Sequence, residues 1–243
     1  MNIGIIVQAR LNSKRFPEKI LKNIYKDYSV IDFLLNRIKK SKLVDKFILA
    51  VPSASKRKFI TIAKKNSFEL FGGSEKNVLK RYYDSATKYK LNTIIRITSD
   101  SPLMSSSILD NAIKNFKTSK VDYYNNILKP SYPIGIHIEI FNYKTLKNLF
   151  INVKEKEFKE HVTPYIYNNP NKFKIFTSKL KKKLNNYRLT IDYEQDLKLL
   201  KKTIKLSKKG TNVTYQDIIN IIKKNPKLIK LNSKFEKRFY IKK

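Results

Sequence analysis

The sequence predicts an α/β fold with a mostly parallel, doubly wound sheet and helices on both faces. Short, continuous apolar runs at residues 3–8 and 46–52 are typical of strands buried inside a parallel sheet. Between them, apolar residues from Val30 to Ile38 recur at the spacing of an amphipathic helix. Strand and helix patterns then continue to alternate. Because crossovers between parallel strands are right-handed, we expect helices to cover both faces of one sheet.

Each element of the first half has a local signal. Ser29 precedes the first helix, where its side-chain oxygen can accept a hydrogen bond from a free backbone N–H. Gly72, Gly73 and Ser74 follow a short strand and mark a turn. The elements predicted after the second strand are a helix near 55–67, a strand at 68–71, a helix at about 76–89, a strand at 93–98 and a helix around 106–117.

The second half changes to extended segments after Val121. Isoleucines at 134, 136, 138 and 140 alternate with other residues, which predicts a strand that presents His137 and Glu139 on one face. The other predicted elements are helices near 143–152 and 157–168, strands near 172–177 and 187–191, and helices at about 193–206 and 214–224. We expect one domain over residues 1–225, with an extended β insertion in its second half, and a basic tail over 226–243.

The charge of the chain first suggests nucleic acid as a partner. The 243 residues include 53 Lys and Arg against 19 Asp and Glu, a formal net charge of +34. Only 8 of the basic residues are Arg, however, and bidentate recognition of phosphates and bases favours Arg. Most of the lysine is therefore interpreted as solvated surface, which makes nucleic acid an unfavoured partner. Residues 201–243 carry 14 basic and 2 acidic side chains, so the tail is the better candidate for an anionic contact.

Cysteine and histidine usage excludes several kinds of chemistry. With no cysteine and 2 histidines, the chain has no disulfide, thiol nucleophile, thiolate zinc site or histidine-rich metal site. No apolar run approaches the roughly 18 residues that a membrane-spanning helix needs. Because Met1 leads directly into the first strand, without a basic region before it, we expect a soluble, cytoplasmic protein with no membrane partner.

A basic loop follows the first strand. Ligands of open α/β sheets bind beyond the carboxyl ends of the strands, and residues 8–21 occupy such an end. Arg10, Arg15 and Lys19 could neutralise a polyphosphate there without a glycine-rich loop, because Arg forks onto phosphate oxygens and Lys supplies a point charge. The alternative is a basic surface loop without a ligand.

Carboxylates follow two further predicted strands. Asp100 comes after the strand at 93–98, and Asp192 comes after the strand at 187–191. Mg²⁺ on a substrate phosphate typically takes one or two protein carboxylates and keeps several waters, so the two residues are candidate metal ligands. The alternative for Asp100 is a helix-capping role. Asp196 lies one turn into the next helix, where its negative charge can stabilise the helix N-terminus without binding a metal.

Six motifs occur in one order over roughly residues 1–205. They are Gln8-Ala9-Arg10-x-x-Ser13-x-Arg15-x-Pro17-x-Lys19-x-Leu21, Gly73-Ser74-Glu75-x-x-Val78-Leu79-x-Arg81-Tyr82, Arg96-Ile97-Thr98-x-Asp100-x-Pro102-Leu103, Tyr132-Pro133-x-Gly135-x-x-x-Glu139-x-Phe141, Glu160-His161-Val162-Thr163-Pro164-Tyr165-Ile166 and Thr190-Ile191-Asp192-x-x-x-Asp196-Leu197. Together they resemble the CMP-Kdo synthetase and acylneuraminate cytidylyltransferase family, and most closely its spore-coat polysaccharide cytidylyltransferase subgroup.

The resemblance implies a Rossmann-like, GT-A-like nucleotidyltransferase fold, in which a sugar hydroxyl attacks the α-phosphate of CTP and pyrophosphate leaves. It implies a homodimer built through the insertion at about 121–166. The nucleotide-binding residues that it implies are Gln8, Ala9, Arg10, Ser13, Arg15, Lys19, Gly73, Ser74 and Arg81, with Gln8 and Ala9 offering backbone contacts to the base. The implied Mg²⁺ ligands are Asp100 and Asp192, the catalytic residues are Arg10, Lys19 and Asp100, and the sugar-binding residues are His137, Glu139 and His161.

The chain departs from the subgroup at three positions. Asn77 and His137 stand where the subgroup usually has Asp, and Ser101 stands where it usually has Cys. The Ser101 change is interpreted as packing, and Asn77 removes a negative charge near the nucleotide pocket, where a base or ribose contact would change. His137 lies in the segment that the resemblance assigns to the sugar acceptor, so its change bears on acceptor identity. The leading hypothesis is a Mg²⁺-dependent cytidylyltransferase that activates an acidic sugar for a surface polysaccharide or glycan.

Three alternatives stay open. A GT-A-like glycosyltransferase shares the fold, but that class usually carries an Asp-x-Asp motif, and the residue two positions after Asp100 is Pro102. A degenerate homologue would keep the fold as a binding module. A nucleic-acid-binding protein would use the basic tail.

Overall fold

The computed structural model of the chain describes residues 2–235. The strands are β1 (Ile3–Gln8), β2 (Asn23–Tyr25), β3 (Tyr28–Ser29), β4 (Lys46–Pro52), β5 (Glu69–Gly73), β6 (Thr93–Thr98), β7 (Tyr123–Asn125), β8 (Glu139–Asn142) and β9 (Ile175–Thr177). All except the β2–β3 hairpin form one sheet in the order β5-β4-β1-β6-β8-β7-β9. Only β8 runs antiparallel to its neighbours among these seven strands of the described chain. The predicted α/β class and mostly parallel sheet are confirmed.

The helices follow the predicted alternation. They are α1 (Val30–Ile38), α2 (Ile60–Lys65), α3 (Val78–Lys88), α4 (Ser106–Ser119), α5 (Tyr143–Asn152), α6 (Lys156–His161), α7 (Pro164–Asn168), α8 (Glu194–Ser207) and α9 (Tyr215–Lys224). The predicted cap of α1 is confirmed, because the Ser29 hydroxyl oxygen accepts a hydrogen bond of 3.1 Å from the backbone N–H of Asp32.

Two apolar cores lie on opposite faces of the sheet. On one face, Ile5 and Val7 of β1 belong to the same buried cluster as residues of α1 and α4. On the other face, Ile6 of β1 joins a cluster with residues of α3 and α5. The alternation of neighbouring β1 side chains between the two cores follows from the period of two in a strand, and it confirms helices on both faces.

A third core joins the C-terminal helices to the start of the chain. Phe33 of α1 packs in one cluster with residues of α8 and α9. Arg37, one turn further along α1, is 3% exposed and donates hydrogen bonds of 3.1 Å to the carbonyl oxygens of Leu103 and Met104. These bonds attach α1 to the segment that follows Asp100, and so they hold that segment against the body of the domain.

The extended segments of the second half differ from prediction. The predicted strand over 134–141 is regular only from Glu139, because the Asn126 side chain bonds the backbone of Ile136 and Ile138 in place of a partner strand. His137 and Glu139 therefore do not share one face of a continuous strand. The predicted strand at 187–191 was also wrong, since only Arg188 forms an isolated bridge, to Ile134.

Two predicted helices are interrupted. Helix 157–168 is divided into α6 and α7, because Val162 between them has a φ of 73°, in the left-handed region that ends a right-handed helix. The helix near 55–67 begins as a 3₁₀ helix over Ser53–Phe59 and becomes α-helical only at Ile60.

The beginning of the predicted basic tail packs on the domain. Residues Pro226–Leu231 form a 3₁₀ helix that contacts α8 and α9. Asn232, just beyond it, is 2% exposed. The rest of the predicted tail, residues 236–243, lies outside the described residues. Over residues 2–235, no helix combines the length and the apolar character that crossing a bilayer requires.

Candidate active site

Lys19 joins two carboxylates at the carboxyl edge of the sheet. The basic loop after β1 ends in a short 3₁₀ helix, Lys19–Leu21, which turns the lysine side chain back toward the strand ends. The Lys19 Nζ atom lies 3.0 Å from Oδ2 of Asp100 and 2.8 Å from Oδ1 of Asp192. Burial acts to lower the pKa of Lys19, but the two carboxylates outweigh it and raise that pKa above its ordinary value. The structure thus brings together three predicted site residues from distant parts of the sequence.

The backbone holds the two carboxylates side by side. The carbonyl oxygen of Asp100 accepts hydrogen bonds from the Ile191 N–H at 2.9 Å and from the Thr190 hydroxyl at 3.1 Å. Gly135 permits this approach, because it has a φ of 98° and a Cβ there would lie 2.6 Å from the backbone nitrogen of Thr190. The motif glycine therefore helps to bring residues 189–192 against the end of β6.

Three cations surround Asp192. Besides Lys19, Arg15 lies 2.6 Å from Oδ1 of the carboxylate and Arg188 lies 2.7 Å from Oδ2. Burial acts to raise the pKa of Asp192, but these three cations outweigh it and hold that pKa well below its usual range. Asp192 is thus ionised at neutral pH, as a ligand of a hard cation must be.

The site fits a magnesium ion held jointly by protein and substrate. Asp100 and Asp192 converge on one point, and the ammonium of Lys19 shows that this point accepts a positive charge. Within residues 2–235, no group of three or more His, Cys, Asp or Glu side chains is arranged to hold a metal ion. Two carboxylates alone are a donor set for Mg²⁺, which completes its shell with phosphate oxygens and water.

Of the residues predicted beside the nucleotide, Gly73 ends β5, Ser74 follows it and Arg81 lies on α3, so the predicted turn begins after Gly73 and not at Gly72. Arg81 is 2% exposed and donates a hydrogen bond of 3.1 Å to the carbonyl oxygen of Ser74. Burial lowers the pKa of Arg81. A Cβ on Gly73 would lie 2.8 Å from the Cγ of Arg81, so the arginine needs glycine at that position. Arg81 therefore supports the turn, and its direct contact with a nucleotide stays a prediction.

The departure at Asn77 has a structural explanation. The Asn77 side-chain oxygen accepts a hydrogen bond of 2.8 Å from the backbone N–H of Lys80, which makes it the N-cap of α3. Asn and Asp are about equally good at this position. The change from the usual Asp therefore keeps the cap and removes one negative charge beside the predicted nucleotide pocket.

A cleft of about 570 Å³ lies next to the basic loop. Its lining residues are Leu11, Asn12, Ser13, Lys14, Pro17, Glu18, Pro52, Ala54, Ser55, Lys58 and Glu75. Arg10, which the sequence also predicts at the nucleotide, pairs with Glu160 at 3.4 Å. At the base of the loop, the Ala9 N–H donates to the carbonyl oxygen of Ala50 and the Gln8 carbonyl accepts from Ser99. The predicted backbone contacts of these two residues to a base stay predictions.

The predicted sugar-binding residues occupy the neighbouring strand end. Glu139 is 3% exposed, forms an ion pair with Arg96, and accepts a hydrogen bond of 2.6 Å from the Tyr123 hydroxyl. One carboxylate oxygen of Glu139 therefore orients Arg96 while the other is held by Tyr123, and direct contact of Glu139 with a sugar stays a prediction. His137 is partly buried between these groups and Asp100, whereas His161 ends α6 beside Glu160.

Acid is expected to destabilise the chain through His137. Burial lowers the pKa of His137 from 6.5 to about 4, although Glu139 and Asp100 act to raise it. Between these two values the unfolded chain binds more protons than the folded chain, so the free energy of unfolding falls by roughly 2–3 kcal/mol as the pH drops through this window. Thermal unfolding measured at about pH 4.5 and about pH 7 checks this.

A His137→Gln variant should lose most of that pH dependence, with His161→Gln as the matched control for removing a histidine. If the stability of His137→Gln fell with pH as much as that of the wild type, groups other than His137 would cause the effect.

Sequence reasoning missed Arg188. It lies four residues before Asp192, pairs with it, and also donates a hydrogen bond of 3.0 Å to Asp196 from its Nε. Arg188 is one of only 8 arginines in a lysine-rich chain and lies just before the motif of Asp192. Its type and position could therefore have predicted a partner for that carboxylate.

A mostly parallel sheet with basic side chains and two carboxylates meeting at its carboxyl edge is the architecture of a protein that binds a phosphorylated ligand there. Comparison with known proteins agrees. The model of the cytidylyltransferase family matches residues 4–230. The chain belongs to the cytidylyltransferase family, which confirms the resemblance found in the sequence.

Individual relatives cover nearly the whole chain. An uncharacterized protein of Methanocaldococcus jannaschii is 36% identical over 99% of this chain and 98% of its own length. The spore coat polysaccharide biosynthesis protein SpsF of Bacillus subtilis is 29% identical over 93% of this chain and 95% of its own.

Solved structures agree on the fold. A cytidylyltransferase from Leptospira borgpetersenii is 33% identical and superposes with a TM-score of 0.90, covering 97% of this chain and 100% of its own. A CMP:2-keto-3-deoxy-manno-octonic acid synthetase complexed with CTP is 12% identical, with a TM-score of 0.64 over 85% of this chain and 99% of its own. At that low identity the second structure supports the fold alone.

Proposed function

We propose that the protein is a Mg²⁺-dependent cytidylyltransferase that transfers CMP from CTP to an acidic sugar and releases pyrophosphate. The observation that carries this proposal is the convergence of Asp100 and Asp192 on a single cation beside Arg15. Such a site combines metal-binding carboxylates with groups that neutralise phosphate. Phosphoryl transfer requires mainly this combination, because its catalysis rests on positioning and electrostatic stabilisation rather than on a protein nucleophile.

In the proposed reaction, the oxygen of a sugar hydroxyl bonds to the α-phosphorus of CTP and the hydroxyl proton is released to water. The bond from that phosphorus to the α–β bridging oxygen breaks, and pyrophosphate leaves with the electron pair. Bound Mg²⁺, held by Asp100 and Asp192, would supply charge neutralisation on the phosphate oxygens. Lys19 and Arg15, which contact these carboxylates in the free chain, would exchange them for the triphosphate and hold its negative charge.

The acceptor side supports a sugar acid as substrate. Arg96 lies on β6, the strand that leads to Asp100, His137 lies two residues before β8, and Arg10 pairs with Glu160. In the free chain Arg96 is paired with Glu139 and Arg10 with Glu160, and a sugar carboxylate would replace Glu160 in the exposed pair with Arg10. The name of the related Bacillus subtilis protein, a spore coat polysaccharide biosynthesis protein, supports a role in making an activated sugar for a surface polysaccharide.

The reaction itself is the first test. The purified protein is incubated with CTP, Mg²⁺ and each of a panel of 3-deoxy-2-keto sugar acids, and pyrophosphate is measured. We expect release that needs CTP, the metal and one acceptor class together, and none with neutral sugars of similar size. Absence of release with every acceptor, combined with absence of CTP binding in calorimetry, would refute the proposal.

Two further parts of the hypothesis stay predictions. The homodimer through the insertion at about 121–166 is expected from the resemblance, and Ile151 in that region is 53% exposed. The nucleic-acid alternative placed its contact in the basic tail, of which residues 226–235 pack against the domain. Those residues are therefore not a free basic arm, and no described feature favours that alternative over nucleotidyl transfer.

A further inference from the structure

The segment that follows α9 reaches the back of the candidate metal site. Asn232 is 2% exposed, and its side-chain amide donates one hydrogen bond to the carbonyl oxygen of Arg188 at 3.0 Å and another to Oδ1 of Asp196 at 2.9 Å. An amide nitrogen has two protons, so both are used. The match to the cytidylyltransferase family model ends at residue 230, just before this residue.

Asp196 connects Asn232 to the metal site. Its carboxylate is fully buried and accepts hydrogen bonds from the backbone N–H groups of Asp192 at 2.9 Å and of Tyr193 at 3.0 Å. It also accepts a bond of 3.0 Å from the Nε of Arg188, whose Nη2 lies 2.7 Å from the Asp192 carboxylate. Asp196 therefore orients both the backbone of Asp192 and the arginine that holds the side chain of Asp192.

A second contact from the same segment reaches Arg15. The ring of Phe235 stacks on the ring of Tyr193, with centroids 3.9 Å apart and an interplanar angle of 7°. The guanidinium of Arg15 lies 5.1 Å from the centroid of that Tyr193 ring. The C-terminal segment therefore contacts a partner of each of the two arginines that hold Asp192.

We propose that Asn232 is a positioning residue for the metal site and that it acts through Asp196 and Arg188 on the carboxylate of Asp192. This inference rests on the proposed function, because it assumes that Asp192 binds the metal. Groups that orient metal ligands without touching the metal typically contribute about 10–100-fold to its affinity. Without Asn232, one oxygen of the buried Asp196 carboxylate loses a donor, and Arg188 can turn toward that oxygen and away from Asp192.

The test measures metal affinity directly. Mn²⁺ is titrated into the full chain in the presence of a non-hydrolysable CTP analogue and followed by electron paramagnetic resonance, for wild type, Asn232→Ala and Asn232→Leu. We expect the Mn²⁺ dissociation constant to rise by about tenfold in both variants. Leu keeps most of the asparagine volume, so it provides the measurement if the alanine variant fails to fold. Leu231→Ala, an apolar change in the same segment, is the matched control and should leave Mn²⁺ affinity unchanged.

A structural role alone would give a different result. It would lower the melting temperature and the folded fraction, while the Mn²⁺ dissociation constant of the folded molecules stayed at the wild-type value. That outcome, or an equal loss of affinity in Leu231→Ala, would overturn the inference. The proposed function is tested separately by pyrophosphate release from the wild type. If the Asn232 variants kept the wild-type Mn²⁺ affinity while Asp192→Asn lost it, the metal site would stand and only the role of Asn232 would be refuted.

Discussion

Replacing Asp100 by Asn is expected to lower the rate of nucleotidyl transfer by about a thousandfold while the fold stays intact. The substitution keeps the shape of the side chain and removes its charge, so under the proposed function the metal would lose one of its two carboxylates and several kcal/mol of charge stabilisation in the transition state. The backbone carbonyl of Asp100 keeps its bonds to Thr190 and Ile191, because the change affects only the side chain. Steady-state kinetics of pyrophosphate release, together with thermal unfolding, measures both parts of the prediction.

Asp84→Asn is the matched control for this change. Asp84 lies on α3, is partly exposed and pairs with Lys80 one turn earlier, an interaction of the kind that contributes little to stability. Its replacement should leave turnover at the wild-type level. If Asp100→Asn also retained near-normal turnover, Asp100 would not be a metal ligand, and the interpretation of its contact with Lys19 would have to change.

The parallel half of the fold was predictable because its signals are local. The run Ile3–Gln8 is buried on both faces of the sheet, so its apolar character is continuous and its bounds agree with the prediction. The segment 134–141 has an equally regular sequence pattern, yet at Ile136 and Ile138 its backbone bonds the side chain of Asn126 instead of a neighbouring strand. Periodicity indicates which side chains are buried, and it carries no information about which group bonds the backbone.

The candidate site was predictable only in part, for a similar reason. Asp100 follows a parallel strand and Lys19 lies in the loop after β1, so the rule that ligands bind beyond strand ends selects both. Asp192 was selected from a strand that is not formed, and the family motif compensated for that error. Asn232 had no signal, because its partners lie 44 and 36 residues earlier and meet it only through the third core.

Replacing Lys19 by Met is expected to have two effects of opposite sign. In the free chain the ammonium of Lys19 occupies the point on which Asp100 and Asp192 converge, so a metal ion has to displace it. Removing that competitor should tighten binding of Mn²⁺ to the nucleotide-free protein by about tenfold. In the proposed reaction, however, Lys19 would hold charge on the triphosphate, and the loss of such a group typically lowers turnover by about 10²–10³-fold.

Tighter metal binding together with slower turnover distinguishes displacement of Lys19 by the metal from two simpler roles of this lysine. If Lys19 only stabilised the fold, the variant would bind metal no better than wild type, and its loss of turnover would follow its loss of folded protein. If Lys19 only contacted phosphate, turnover would fall and metal affinity without nucleotide would not change. Lys22→Met, an exposed change three residues along the chain, is the control for removing one positive charge near the site. Only displacement of Lys19 by the metal predicts tighter Mn²⁺ binding together with slower turnover. An unchanged Mn²⁺ affinity in Lys19→Met would therefore contradict the idea that the metal displaces Lys19.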